Sequence, residues 1–256
     1  KRGVGADLAQ GSRVLAQRFD ALDIAMQAKG LEFAAYEPRN AIGHGLGYAV
    51  SNRGACHLNG GYGVAREGLA LKMNGRSQRG KHALVAIFQD LMEAVSAAGG
   101  CLFTTLAVLP GPLVRGAGGP LGTVVNAVLG SAGGAMRALR ALPPSVLGIP
   151  MPLVPHIRGV ELATGMKLGF GGFWAAGQRG YTLERMIGIR FGITSADDTL
   201  PARMTDEPID PKVPGSVVPL ATMKRRYYAH RGWSIDGRPT AALLRRLGLD
   251  DLGGSD

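Results

Sequence analysis

The sequence predicts a mainly α protein: an irregular helical domain with long loops rich in glycine and proline. Three observations carry that expectation. Apolar residues recur at helical spacing over 81–98, and again over 173–189. Alternating apolar and polar runs that would read as strands are few. The 40 glycines and 15 prolines make up about a fifth of the chain and gather between the periodic segments. They show no period of three, which excludes a collagen-like chain. With 46% hydrophobic residues among 256, a core of ordinary size is expected and disorder along the whole length is excluded.

Taken in order, Val4, Leu8, Val14, Leu15, Phe19, Leu22, Ile24 and Met26 read as one helix over 4–28, ended by Lys29-Gly30. An irregular segment is expected from Leu31 to Gly45, then a short apolar piece over Leu46–Asn52 and a loop running to about Arg79. Lys81–Ala98 gives the clearest helix, with Leu84, Ile87, Phe88, Leu91, Met92 and Val95 on one face and Gly99-Gly100 as its stop. The Pro/Gly/Ala-rich stretch 110–160 holds one helical patch around Val124–Leu142. Glu161–Leu168 reads as a helix start or a loop, and Phe173–Ile189 as a helix. A polar loop is expected over Thr194–Val213, then two closing helices at Thr222–Arg231 and Thr240–Leu247, the second preceded by Pro239. No internal repeat is visible.

Charge and cysteine content narrow the function classes. The net charge is +10, which draws acidic partners, phosphorylated cofactors or other polyanions. The charge is scattered, however, and the longest basic run is Lys224-Arg225-Arg226, so no nucleic-acid partner is expected. Two cysteines do not make a disulfide scaffold. Leu91–Pro110 approaches membrane length, but Glu93 and the Gly99-Gly100 break argue for buried helix and against a span. The chain begins Lys1-Arg2-Gly3 without a basic-then-apolar leader, so no signal peptide is expected.

Few residues stand out for chemistry. Cys101 follows a glycine pair that frees the backbone, so its thiolate could ligate a metal; as a buried thiol it would serve only as a small hydrophobe. Cys56-His57 lies among Gly43, Gly45, Gly47, Gly60, Gly61 and Gly63, a density that suits a backbone running close to a bulky ligand. His57 is either a ligand-side group or a hydrogen-bonded structural one. His44, His82, His156 and His230 have no companions at metal spacing. The glycines lack the spacing of a dinucleotide or phosphate loop, and no nucleophile elbow is present. Asp197-Asp198, Asp206-Glu207 and Asp250-Asp251 read as exposed or capping acids.

Together these segments resemble the C-terminal half of the aldehyde ferredoxin oxidoreductase family of tungsten- or molybdenum-pterin enzymes. The likeness runs through Lys29-Gly30-Leu31-Glu32 and Tyr36-Glu37-Pro38-Arg39 and peaks over Gly45–His57. It continues with Gly99-Gly100-Cys101-Leu102-Phe103, with Asp197–Arg203, and with Tyr227–Trp233, Gly237–Thr240 and Leu247-Gly248-Leu249. It thus spans residues 29 to 249 in order, and is weak around 105–165.

The resemblance implies two cofactors, a tungsten (or molybdenum) bis-pterin and a 4Fe-4S cluster, set between an N-terminal β domain and two helical domains. Residues 1–28 would end the middle helical domain and 29–256 would form the C-terminal one, the β domain lying outside this sequence. Cys101 matches the fourth cluster thiolate, the other three belonging to a C-x-x-C-x-x-x-C run upstream of residue 1. Ser96, with Gly99 and Gly100, matches the pterin-binding segment, Ser96 standing where the family has an acid. Asn59 stands where the family often has a basic residue. His57 matches a histidine near the metal, and Tyr36 a tyrosine on the substrate side. The implied activity is oxidation of an aldehyde to a carboxylic acid in the cytoplasm, with electrons passed to ferredoxin or another acidic carrier. A homodimer is left open. So are two other readings: an aromatic acyl-CoA reductase subunit of the same family, and a helical interaction module that keeps the scaffold without the chemistry.

Overall fold

The computed structural model describes residues 2–61, 63, 67, 74–104, 124, 127 and 155–252. Over these the protein is built from helices, with one two-residue hairpin as its sheet. The helical patch expected at Val124–Leu142 falls almost wholly outside the described residues.

The long N-terminal helix expected over 4–28 is broken. Helix α1 covers Val4–Leu8 and α2 covers Ser12–Arg18, separated at Gly11, whose φ of 85° no right-handed helix allows. Asp20 is also left-handed, at φ 51°. A 3-10 turn at Leu22–Ile24 then leads to strand β1, Gln27–Ala28, paired antiparallel with β2, Leu31–Glu32. Lys29 and Gly30, read as a helix end, form the hairpin turn; their φ values of 52° and 84° match the right-handed strand twist of a primed turn. Val4, Leu8, Phe19 and Ile24 are all exposed, and of the apolar residues spaced over 4–28 Met26 packs against the core.

Helix α3, Ile42–Val50, lies in part of the segment read as irregular and takes in most of the apolar piece. Three glycines in IGHGLGYAV lower its intrinsic helicity, yet every residue of it is buried, so tertiary packing makes it a helix. Helix α4, Lys81–Ala97, agrees with its sequence pattern. Helix α5 is Pro155–Thr164, and the 22-residue α6 is Gly169–Arg190, one turn longer at its start than its periodicity indicates. The loop expected over 194–213 contains a short helix α7, Ala202–Asp206. Helices α8, Leu220–Arg231, and α9, Ala241–Leu247, close the chain. Thr240 caps α9, accepting the Leu243 amide at 3.3 Å.

The core runs from Ala28 through α3, α4, α6 and α8 to Leu249. Helices α4 and α6 touch backbone to backbone: a Cβ at Gly177 would lie 1.8 Å from the Asp90 carbonyl oxygen. Two buried ionic centres pin this frame. Asp90 on α4 takes Arg231 of α8 and the Trp174 indole of α6, the latter at 3.1 Å. Arg231 lies over the Tyr181 ring at 4.1 Å. The second centre is Asp198, completely buried where an exposed acid was expected. Arg185 grips it with two bonds of 3.0 and 2.8 Å, Lys29 reaches it at 2.7 Å, and the Tyr228 hydroxyl donates to it. Burial alone would raise the Asp198 pKa, but the two cations hold it below the ordinary 3.8. Asp197 beside it is a capping residue as expected, accepting from the Thr194 amide at 2.8 Å.

Candidate functional site

Helix α3 is a buried strut with a candidate residue on either side. Before it, the Pro38–Asn40 turn and Glu37, which accepts from Arg39 at 2.8 Å, fix the approach of Tyr36. After it, Ser51 begins a loop that carries Cys56 and His57. That loop sits on the hairpin: the Ala55 amide donates to the Ala28 carbonyl at 3.3 Å, and Gly54, at φ 83°, passes so close that a Cβ would meet that oxygen at 2.4 Å.

The chain therefore brings Tyr36 and His57 together, their rings 5.7 Å apart. His44 on α3 joins them, 5.5 Å from Tyr36 and 4.3 Å from Tyr48, and Phe33 stacks on Tyr48 at 4.5 Å. Sequence spacing did not single out His44 as part of this group. Its i, i+4 relation to Tyr48 on a buried helix was the available signal, and the glycines around it concealed the helix. The site is half-buried at Tyr36 and His57 and closed at His44 and Tyr48. Burial lowers the His57 pKa from 6.5, so its imidazole is neutral at pH 7 and has a lone pair to accept a proton. Burial also raises the Tyr48 hydroxyl well above its usual range, with Tyr36 and Cys56 adding to the effect, so that phenol stays protonated.

The glycine density around His57 has another cause than ligand approach. A Cβ at Gly47 would lie 2.3 Å from the Gly60 carbonyl oxygen, one at Gly61 would crowd Val85, and one at Gly63 would strike the His44 backbone at 2.8 Å. Gly43 and Gly45 meet Glu67 and Val218 in the same way. These glycines let segments of the protein lie against each other.

The second group sits at the end of α4. Gly99 is left-handed, at φ 74°, and the Gly99 and Gly100 amides bond back to Ser96 and Val95 at 3.0 and 2.9 Å, a Schellman close. Cys101 emerges from it exposed and outside any disulfide, which excludes the buried-hydrophobe reading. Its carbonyl accepts from the Thr104 amide at 2.9 Å and the Thr104 hydroxyl at 2.6 Å, and that hydroxyl also meets His156 Nε2 at 2.7 Å. The backbone is held and the thiol faces outward. Ser96 is half-buried one turn earlier. Arg53 links the two groups, 3.2 Å from Glu184 of α6 and 3.9 Å from Glu93 of α4. Burial, then Glu184, pushes the Glu93 carboxyl above its ordinary range, although Arg53 works the other way.

Among the described residues no three His, Cys, Asp or Glu side chains gather as a metal centre. An iron–sulfur cubane needs about four thiolates. An exposed thiol on a fixed glycine turn fits one of those places, and two cysteines in the chain cannot fill them all. No helix among the described residues is long and apolar enough to cross a membrane.

Residues 1–249 match the family described as "Aldehyde ferredoxin oxidoreductase, domains 2 & 3". Relatives named tungsten-containing aldehyde ferredoxin oxidoreductase are similar along almost the whole chain. Those of Pyrococcus horikoshii and Pyrococcus abyssi are each 33% identical, and that of Pyrococcus furiosus is 32% identical, over 98% of the chain. The chain spans 35% of the length of each of these relatives.

Proposed function

The chain belongs to the aldehyde ferredoxin oxidoreductase family, and from that premise we propose that it works as the C-terminal part of a longer tungsten enzyme oxidising aldehydes to carboxylic acids. The balance is RCHO + H2O → RCOOH + 2 H⁺ + 2 e⁻. When bound, the tungsten pterin supplies the two-electron redox chemistry and the iron–sulfur cluster a one-electron outlet. This chain contributes protein groups that place the aldehyde, take up protons and complete the cluster's ligand set.

The observation that carries this reading is the meeting of Tyr36 and His57, which flank α3 in sequence, with their rings 5.7 Å apart. The neutral imidazole of His57 accepts a proton released as water adds its oxygen to the carbonyl carbon. The Tyr36 phenol, on the same open side, donates a hydrogen bond that orients the carbonyl oxygen. Tyr48 and His44 back this pair and keep water from behind it. When the cofactors are bound, Cys101 would supply one thiolate of the 4Fe-4S cluster, and Ser96 with the Gly99–Gly100 turn would contribute polar and backbone contacts to the pterin. The net charge of +10 would favour encounter with an acidic one-electron carrier such as ferredoxin.

The test compares this chain with the full-length protein, both reconstituted anaerobically with iron, sulfide and tungsten pterin. The full-length protein should bind cluster and tungsten and reduce ferredoxin with an aldehyde; this chain alone should hold no intact cluster, since one thiolate in four leaves it uncapped. About four irons per isolated chain, without ligands shared between copies, would overturn the division of labour. A full-length protein that loads both cofactors and turns over no aldehyde would leave the acyl-CoA reductase reading, and one that loads neither would leave the interaction module.

A further inference from the structure

We propose that Glu184 is the positioning residue of the His57 loop, one carboxylate holding both ends of that loop; the proposal rests on the role given to His57 above. Glu184 Oε2 accepts from Asn52 Nδ2 at 3.3 Å and from Asn59 Nδ2 at 3.3 Å, while Oε1 accepts from Arg53 Nη2 at 3.2 Å and Nε at 3.4 Å. The two asparagines flank Cys56-His57 in sequence, so the loop leaves and returns to a single oxygen atom. Two further bonds lock the ends. Asn52 also donates to the Tyr181 carbonyl at 3.0 Å, and Asn59 Oδ1 accepts from Ser51 Oγ at 2.7 Å.

The carboxylate stands on a fixed platform. Its neighbour Arg185 is clamped to buried Asp198, and ten residues earlier on the same helix Trp174 is bonded to Asp90. Asn59 is 3% exposed, so its amide has little water to turn to if Glu184 is lost. The residue type follows from the donor count. Four N–H groups converge on two oxygens, and a glutamine there would turn its own NH2 either on the two asparagine amides or on the Arg53 guanidinium. Arg53 extends the same hold to Glu93, 3.9 Å away on α4, whose last turn holds Ser96 and whose close leads to Cys101. One residue thus sets the loop that carries the proton acceptor, with a branch toward the cluster-bearing helix end.

Glu184→Gln in the full-length holoenzyme tests this. The expected result has three parts. Turnover falls roughly 10- to 100-fold, as for a catalytic group displaced by about 1 Å, with tungsten and iron content unchanged. Backbone amide exchange quickens over 51–61 and stays the same in α4 and α6. Adding Glu184→Gln to His57→Ala causes no further loss of turnover, because a misplaced group that is already absent costs nothing more. Unchanged exchange over 51–61, or losses that multiply in the double variant, overturns the proposal. The two levels separate cleanly. If His57→Ala alone turns over normally, the role of His57 and this proposal fall together; if His57→Ala is slow and Glu184→Gln is not, only Glu184 is wrong. Should Glu184→Gln fail to fold, Asn52→Ala removes one donor from the half-buried end and is read by the same exchange and double-variant criteria.

Discussion

Tyr36 and His57 are 21 positions apart with a fully buried helix between them in sequence, yet their rings lie 5.7 Å apart. Neither helix propensity nor loop composition places them together. Two glycines in α3 help: a Cβ at Gly45 would meet Pro38 Cβ at 3.2 Å and one at Gly47 the Gly60 carbonyl oxygen at 2.3 Å, so the segment before the helix and the loop after it both lie close against it. The strut is thin enough for the segment before it and the loop after it to meet.

His57→Ala in the full-length enzyme should slow turnover by roughly 10²–10⁴-fold if the imidazole is the proton acceptor. Tungsten and iron content should not change. The pH profile follows from the lowered pKa. The neutral imidazole is the working form, so activity is held above pH 6.5 and falls on the acid side as the ring protonates below that value. Stability has the same sign: the folded state prefers the neutral ring, and whatever His57 contributes is present above 6.5 and lost as pH falls through its folded pKa. Turnover measured from pH 5 to 8 on metal-loaded protein checks this, and a variant that keeps the acid limb would remove His57 from that role.

Asp198→Asn should destabilise the protein by about 3–5 kcal/mol, since Lys29 and Arg185 would share a buried centre with no counter-charge. The carboxyl is held below 3.8, so its contribution is present above that pH and lost as pH falls through the folded pKa. Urea unfolding at pH 7 and at pH 3 should show the difference between wild type and variant shrinking in acid. A loss below about 1 kcal/mol at pH 7 would mean that the pair is dispensable.

Two glycine-to-alanine changes should act in opposite directions. At Gly177 the new methyl would lie 1.8 Å from the Asp90 carbonyl oxygen, so α4 and α6 must separate, at a cost of about 3 kcal/mol, the upper end for overpacking. At Gly159, within α5, nothing among the described residues lies within 4 Å of an added Cβ, so alanine should stabilise by about 1 kcal/mol through helix propensity. Thermal melts of the two variants against wild type check both signs.

Much of the helical frame was legible in the sequence, and the exceptions share a cause. Lys81–Ala97 and Gly169–Arg190 pack one face against neighbours, so their periodicity shows. Helix α3 is buried on every face and glycine-rich, so it has neither periodicity nor propensity to reveal it. The 4–28 segment has the opposite fault: its apolar spacing is regular, but the left-handed Gly11 and Asp20 break it and leave Val4 and Phe19 exposed. Cys101, His57 and Tyr36 were visible as residue types within a family resemblance, and the Tyr36–His57 contact was not, since it depends on how α3 is packed. Asp198 was misjudged because a charged pair between Ala196 and Thr199 looks solvated. The cations that bury it, Lys29 and Arg185, lie far off in sequence and just ahead of it. Glu184 escaped for the same reason, its partners lying more than 120 residues away.

In the proposed enzyme this chain completes the iron–sulfur centre through the exposed thiol of Cys101. Cys101→Ala in the full-length protein, assayed for iron, tungsten and the electron paramagnetic resonance of the reduced cluster, tests it most directly. Alanine offers no ligand, so the 4Fe-4S signal and electron transfer to ferredoxin should be lost, with tungsten retained because Cys101 would ligate the cluster and not the pterin. A folded Cys101→Ala protein that keeps about four irons and an unaltered cluster spectrum would contradict the account.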